Sequence, residues 1–140
     1  MMKRILLAVL AVFVAWQVLD FVIHGLILMK SYQETASLWR PMNEMKFGLM
    51  RLVGLVAAGT FVLMYAWLVR DKSVATGLKF GLLFGLGTGA SMGFGNYCVM
   101  PVPVFLAVVW FLGSVVEAVV AGLLVGWIVK ETPPAALAPA

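Results

Sequence analysis

The sequence predicts an all-α fold, a polytopic membrane protein built as a bundle of four transmembrane helices, and three observations carry that prediction. First, apolar residues make up 64% of the chain and charged residues 11%, against roughly 45–50% and about 25% in a soluble domain. Mean hydropathy is +1.06, and there is too little polar side chain to cover a water-facing surface. Second, residues 80–116 contain no Asp, Glu, Lys or Arg. About 20 apolar residues span a bilayer core as a helix, so this run is long enough for two crossings if something breaks it. Third, the ten Lys and Arg sit at the ends of apolar segments. There they set topology, whereas nucleic-acid binding needs a basic patch with interleaved aromatics.

A single transmembrane domain is expected over residues 1–131. Its first helix is expected at 5–28. Met1–Arg4 followed by ILLAVLAVFVAW is similar to a secretory leader, but the apolar stretch is too long and no small-x-small cleavage site follows, so it reads as an uncleaved crossing. In the outer loop, 29–46, Ser31 with Glu34 three residues on fits a capping box and predicts a short helix over 32–39. Tyr32 and Trp39 would then sit at the membrane interface, and Pro41 would start an extended second helix. That helix is expected at 47–69, before the charged turn RDK at 70–72. The third is expected at 74–99. The break comes at NYCVMPVP, 96–103, where two prolines cannot both lie inside a helix and one suits a first helical position. A tight hairpin there leads into the fourth helix, 103–129. Residues 132–140 read as a disordered tail.

The resulting topology puts Lys3, Arg4, Arg70, Lys72, Lys79 and Lys130 on one side and Lys30, Arg40, Lys46 and Arg51 on the other. The positive-inside rule then favours cytoplasmic N- and C-termini, as in a bacterial inner membrane.

Gly77, Gly81, Gly85, Gly89 and Gly93 recur at every fourth position of the third helix. In water each costs roughly 1 kcal/mol relative to alanine. In lipid, helices gain little by hiding apolar surface, and small residues at this spacing let two backbones approach. The fourth helix offers a matching row in Ser114, Ala118, Gly122 and Gly126, and the second a weaker one in Gly54 and Ala58. One reading is packing of helices three and four within the chain. The other is a homo-oligomer or a docking face, because a spacing of four drifts roughly 40° per step around a helix and turns late glycines away from early ones.

The intramembrane polar residues form a second expected feature. Asp20 and His24 lie four apart on one face of the first helix. Glu117 lies near the middle of the fourth, Arg51 about one turn inside the second, and Asn96 near the outer end of the third. Counting rise per residue from the outer surface, Asp20, His24, Arg51 and Glu117 can meet in the outer half of the bundle. Such groups either pair to fix helix register or mark a proton or cation pathway. Three scattered side chains, Asp20, His24 and Glu117, would be the set for a divalent metal, but no short metal motif accompanies them. With one Cys (Cys98) and one His, intrachain disulfides, CxxC pairs and paired-histidine sites are excluded. No phosphate loop, GxSxG or HExxH occurs, so neither an enzyme nor a cofactor is expected.

WQVLDFVIHG (16–25), SLWRPMNEM (37–45) and the glycine-rich third helix together resemble a group of small uncharacterised bacterial four-helix integral membrane proteins. The resemblance implies a bacterial membrane protein and leaves its activity open. The expected function is non-enzymatic: action through helix–helix association in the lipid bilayer, as a homo-oligomer or an accessory subunit of a membrane complex, with no nucleic acid. The alternative is a small proton- or cation-linked transporter or channel using Asp20, His24 and Glu117.

Overall fold

Long apolar runs without proline satisfy their backbone N–H and C=O groups internally as helices, and the chain follows that rule. The structure, a computed structural model, describes residues 1–130; the tail expected over 132–140 lies outside the described residues. Helix α1, Met2–Asp20, continues directly into a π-helical segment, Phe21–Ile27. Helix α2, Met29–Glu34, and two short 3-10 turns fill the loop before α3, Phe47–Leu68. Helix α4, Val74–Ala90, runs through a second π segment, Ser91–Gly95, into one last turn, α5, Asn96–Val99; α6 spans Val104–Ile128. No strand occurs among the described residues.

Three helices are long and apolar enough to cross a membrane: Met2–Ile27, Phe47–Leu68 and Val104–Ile128, with mean hydropathies of 2.4, 1.9 and 2.4. The segment expected as the remaining crossing, 74–99, falls outside that set. Glycines replace larger apolar side chains there and lower its hydropathy.

The loop departs from expectation. Ser31 is not a cap; it lies buried inside α2, whose N-cap is Leu28, and makes no capping hydrogen bond. The α2 helix starts two residues before Ser31, so the hydroxyl has no free N–H to receive. Glu34 instead lies 3.8 Å from Lys30 on the exposed face. Pro41 does not open the next long helix either. It holds extended geometry, φ −55° and ψ 148°, before the 3-10 turn Met42–Glu44.

Helix α1 packs against both α3 and α6, and α4 packs along α6. At the end of the bundle that carries the N-terminus, Ala8, Val12, Ala58, Phe61, Tyr65, Ala121 and Val125 are buried in one cluster. Phe61 reaches the Phe80 and Phe84 rings of α4, with centroids 5.0 and 5.1 Å away. Tyr65 donates a hydrogen bond to the Ser73 carbonyl at 3.0 Å and fastens α3 to the start of α4. Ser73 in turn caps α4, its hydroxyl accepting from the Thr76 N–H at 3.1 Å.

The α4–α6 contact is backbone against backbone. A Cβ on Gly77 would run into the Gly122 carbonyl oxygen, one on Gly81 into the Ala118 carbonyl, and one on Gly93 into the Ala107 carbonyl. A Cβ on Gly85 would stand 2.9 Å from Ala118 and Val115, and one on Gly89 2.8 Å from the Phe111 carbonyl oxygen and 3.2 Å from Ser114. From the other side, Gly126 meets Ser73 and Val74. No described glycine has positive φ, so the row exists for close approach and not for turns. All five glycines meet one helix, and the expected drift to a second partner does not appear. Both rows advance by about four residues, so the helices keep contact by winding about each other. The wider π turns at Ser91–Gly95 rotate less per residue and bring Gly93 back toward α6.

Gly81→Ala is expected to destabilise the protein by about 2 kcal/mol or more, since added volume in a packed contact costs roughly 1–3 kcal/mol and carbonyl oxygen cannot rotate away. Gly87, whose added Cβ meets nothing within 4 Å, should tolerate alanine. Thermal unfolding of both variants in detergent checks the pair.

Candidate functional site

Two side chains enter the site from α1 where it widens. Asp20 ends the α-helical part and His24 lies in the π segment. Their spacing puts the His24 Nε2 3.7 Å from the Asp20 Oδ1. The α6 helix supplies Trp110, Gly113, Ser114 and Glu117, and the second π segment supplies Met92. With Ile23 these residues line a cavity of about 140 Å³. Both π segments thus border one cavity, and such widened turns recur at functional sites. Weak helix formers keep the widening cheap: Gly25 in the first segment, Gly93 and Gly95 in the second.

The rotation of α6 follows from its packing. Ala118 faces α4, and the residue before it points about 100° away, which turns Glu117 toward α1. The Trp16 Nε1–H donates to the Glu117 backbone carbonyl at 2.8 Å and holds α6 in that position. Gly113 admits the Ile23 side chain, whose Cδ1 lies 3.0 Å from where a Cβ would stand.

The electrostatics are one-sided. Asp20 and Glu117 both line the cavity, and no Lys or Arg lines it. Glu117 Oε1 is buried and has no hydrogen-bond partner among the described residues. Asp20 and His24 keep 48% and 40% of their side-chain surface exposed, so the cavity is open beside them. Among the described residues no group of three His, Cys, Asp or Glu side chains is arranged to hold a metal ion.

The loop between α1 and α3 folds back over one end of this arrangement. Tyr32 of α2 folds back so that its hydroxyl lies 2.6 Å from His24 Nδ1 and accepts from the Trp110 Nε1–H at 2.8 Å. Trp39 packs edge-on against both Tyr32 and Trp110, with centroids 5.4 and 6.1 Å away. Its indole N–H donates to Thr35 Oγ1 at 2.8 Å, and Thr35 donates to the Ser31 carbonyl at 2.7 Å. Beneath them Leu28, Val102, Leu106 and Trp110 form a second buried cluster. Tyr32 and Trp39 are therefore packed inward, not simply placed at a membrane interface.

Of the expected polar cluster, Asp20, His24 and Glu117 line the same cavity, while Arg51 does not join them. Every α3 residue from Phe47 to Val53 is exposed. This half of α3 does not pack into the bundle, so equal depth does not bring Arg51 to Asp20. Asn96 bonds within its own helix, donating to the Met92 carbonyl at 2.7 Å. The residues that sequence reading missed are Tyr32, Met92 and Trp110. Trp110 was within reach, since it lies seven residues before Glu117, two turns along the same face. Tyr32 depends on the loop folding back, which no periodicity encodes.

Burial pushes the Tyr32 phenol above its ordinary 10.0, opposed by the Trp110 hydrogen bond and reinforced by the Asp20 charge. The stability that this phenol contributes is present below pH 10.0 and is lost as pH rises through the elevated value. Tyrosinate absorbance of the parent minus that of Tyr32→Phe should therefore show a phenol titrating above 10.0. Comparison with protein-family models, curated proteins and solved structures finds no match.

Proposed function

We propose that the chain is a membrane protein of four crossings whose cavity takes up a proton or a small monovalent cation, as part of a transporter or channel. The observation that carries the reading is Glu117 Oε1, buried and unpartnered, on a cavity with a second carboxyl and no basic residue. An acidic group at a helix centre costs roughly 2.5–3.5 kcal/mol on insertion scales, so such groups mark ion or proton pathways by default. The charge that this cavity lacks is positive. A proton and a cation would compete for the same carboxyl oxygens, and that competition is what couples one flux to another.

In this reading 74–99 is the remaining crossing. It matches the length of α6, lies along it, and its only charged residue, Lys79, is near one end. The Lys and Arg distribution supports cytoplasmic termini in a bacterial inner membrane. The association reading drew on the length of the glycine row; all five glycines meet α6, so packing within the chain is enough to account for that row. An enzymatic reading gains no support from Ser114, His24 and Asp20 lining one cavity. The Tyr32 hydroxyl engages His24 Nδ1 and Asp20 Oδ1 lies 3.7 Å from Nε2, and no hydrogen bond joins Ser114 to His24 among the described residues.

The test uses protein reconstituted in vesicles with a trapped pH-sensitive dye, under an imposed membrane potential, with and without a sodium gradient. Glu117→Gln should lose at least about nine-tenths of the flux, as expected when an ionisable pathway group is removed, while retaining its thermal unfolding profile. Glu34→Gln, on the exposed loop face, should retain the flux. Parental flux in folded Glu117→Gln would overturn the reading.

A further inference from the structure

Tyr32 lies outside the crossing helices, yet its hydroxyl sits between two groups of the cavity wall. That hydroxyl has one proton to give and lone pairs to receive. Trp110 Nε1 is a donor only, so at 2.8 Å the hydroxyl oxygen accepts from it. The hydroxyl proton then has one partner in the arrangement, His24 Nδ1 at 2.6 Å. Nδ1 must be the bare nitrogen, and a neutral imidazole carries its proton on Nε2. Nε2 is the nitrogen on the Asp20 side, 3.7 Å from Oδ1, beyond hydrogen-bond length but close enough for the carboxylate to favour a proton on it.

The opposite tautomer is worse at both ends. An Nδ1–H would turn the hydroxyl proton away from its partner, and a bare Nε2 lone pair would face the Asp20 carboxyl. The groups facing the ring from each packed element are consistent with this. Asp20 lies on its own helix, Tyr32 on α2, and Trp110 and Glu117 on α6, while Met92 of the second π segment carries no charge.

We infer that Tyr32 is a positioning residue for the cavity: its hydroxyl fixes His24 in the Nε2–H tautomer and holds that N–H toward Asp20. The loop thereby sets which hydrogen-bond face the cavity presents to an incoming proton or cation. This rests on the proposed reading of the cavity only for what is being positioned; the tautomer is observable without any flux. A cation seated against Asp20 competes with Nε2–H for the same oxygen, so occupancy and the seat of the loop are tied together through one ring.

His24 is the only histidine in the chain, so labelling histidine with 15N gives a single pair of ring nitrogens to read by NMR. At about pH 8, above the ordinary histidine value, the parent should show Nε2 protonated and Nδ1 bare. Tyr32→Phe should raise the Nδ1–H share roughly tenfold, the effect of one lost hydrogen bond. Trp110→Phe separates positioning from general loosening. It removes a donor to the hydroxyl but leaves the hydroxyl free to donate to Nδ1, so the parental tautomer should persist. A parent dominated by Nδ1–H, an unchanged ratio in Tyr32→Phe, or an equal shift in Trp110→Phe would each overturn the inference. Loss of flux in Glu117→Gln is independent of these spectra, so either idea can fail alone.

Discussion

The backbone contact between α4 and α6 is the constraint on which the rest of the structure depends. Where Gly77, Gly81 and Gly93 face α6, even one methyl group would collide with a carbonyl oxygen. A contact that close leaves α6 little freedom to rotate. Once Ala118 and Gly122 are committed to α4, the adjacent face carrying Trp110, Gly113 and Glu117 must turn toward α1. The cavity is therefore a consequence of packing one face away. A looser contact, mediated by leucines, would leave the direction of Glu117 undetermined.

The bundle divides into two halves with different chemistry. Toward the N-terminal end, Trp16, Phe61, Tyr65, Phe80 and Phe84 bring α1, α3 and α4 together through ring contacts. Toward the loop end the space beside α1 and α6 is bordered by polar groups, and α3 does not fill it because its residues from Phe47 to Val53 are exposed. The Trp16 hydrogen bond to the Glu117 carbonyl joins the two halves. Aromatic packing lies on one side of the carboxyls and the Tyr32–Trp39–Trp110 cluster on the other, with the cavity open beside Asp20 and His24.

Much of this was legible in the sequence because it follows from periodicity. The long helical stretches begin and end close to where apolar runs, prolines and charged turns put them, and Ser114, Ala118, Gly122 and Gly126 lie where a spacing of four directs them. Depth counting placed Asp20, His24 and Glu117 in the same half of the bundle, near enough to meet. It failed for Arg51 because depth says nothing about whether a helix packs over its whole length. The π segments were invisible, since widening a turn changes hydrogen-bond partners but not composition. The loop was misread for a related reason. Ser31 and Glu34 fit a local capping pattern, whereas burial of Leu28, Tyr32 and Trp39 against Val102, Leu106 and Trp110 decided the local structure.

The central claim is that the cavity beside Glu117 is reachable and selects positive charge. Ser114 lines it, and its change to cysteine is nearly isosteric, so in a Cys98→Ala background Ser114→Cys carries a single thiol. The decisive measurement is the rate at which that thiol reacts with a cationic and with an anionic methanethiosulfonate of equal size in reconstituted vesicles. The account predicts faster reaction with the cationic reagent and loss of that preference when Glu117→Gln is added. Equal rates for the two reagents, or a preference that survives Glu117→Gln, would contradict it.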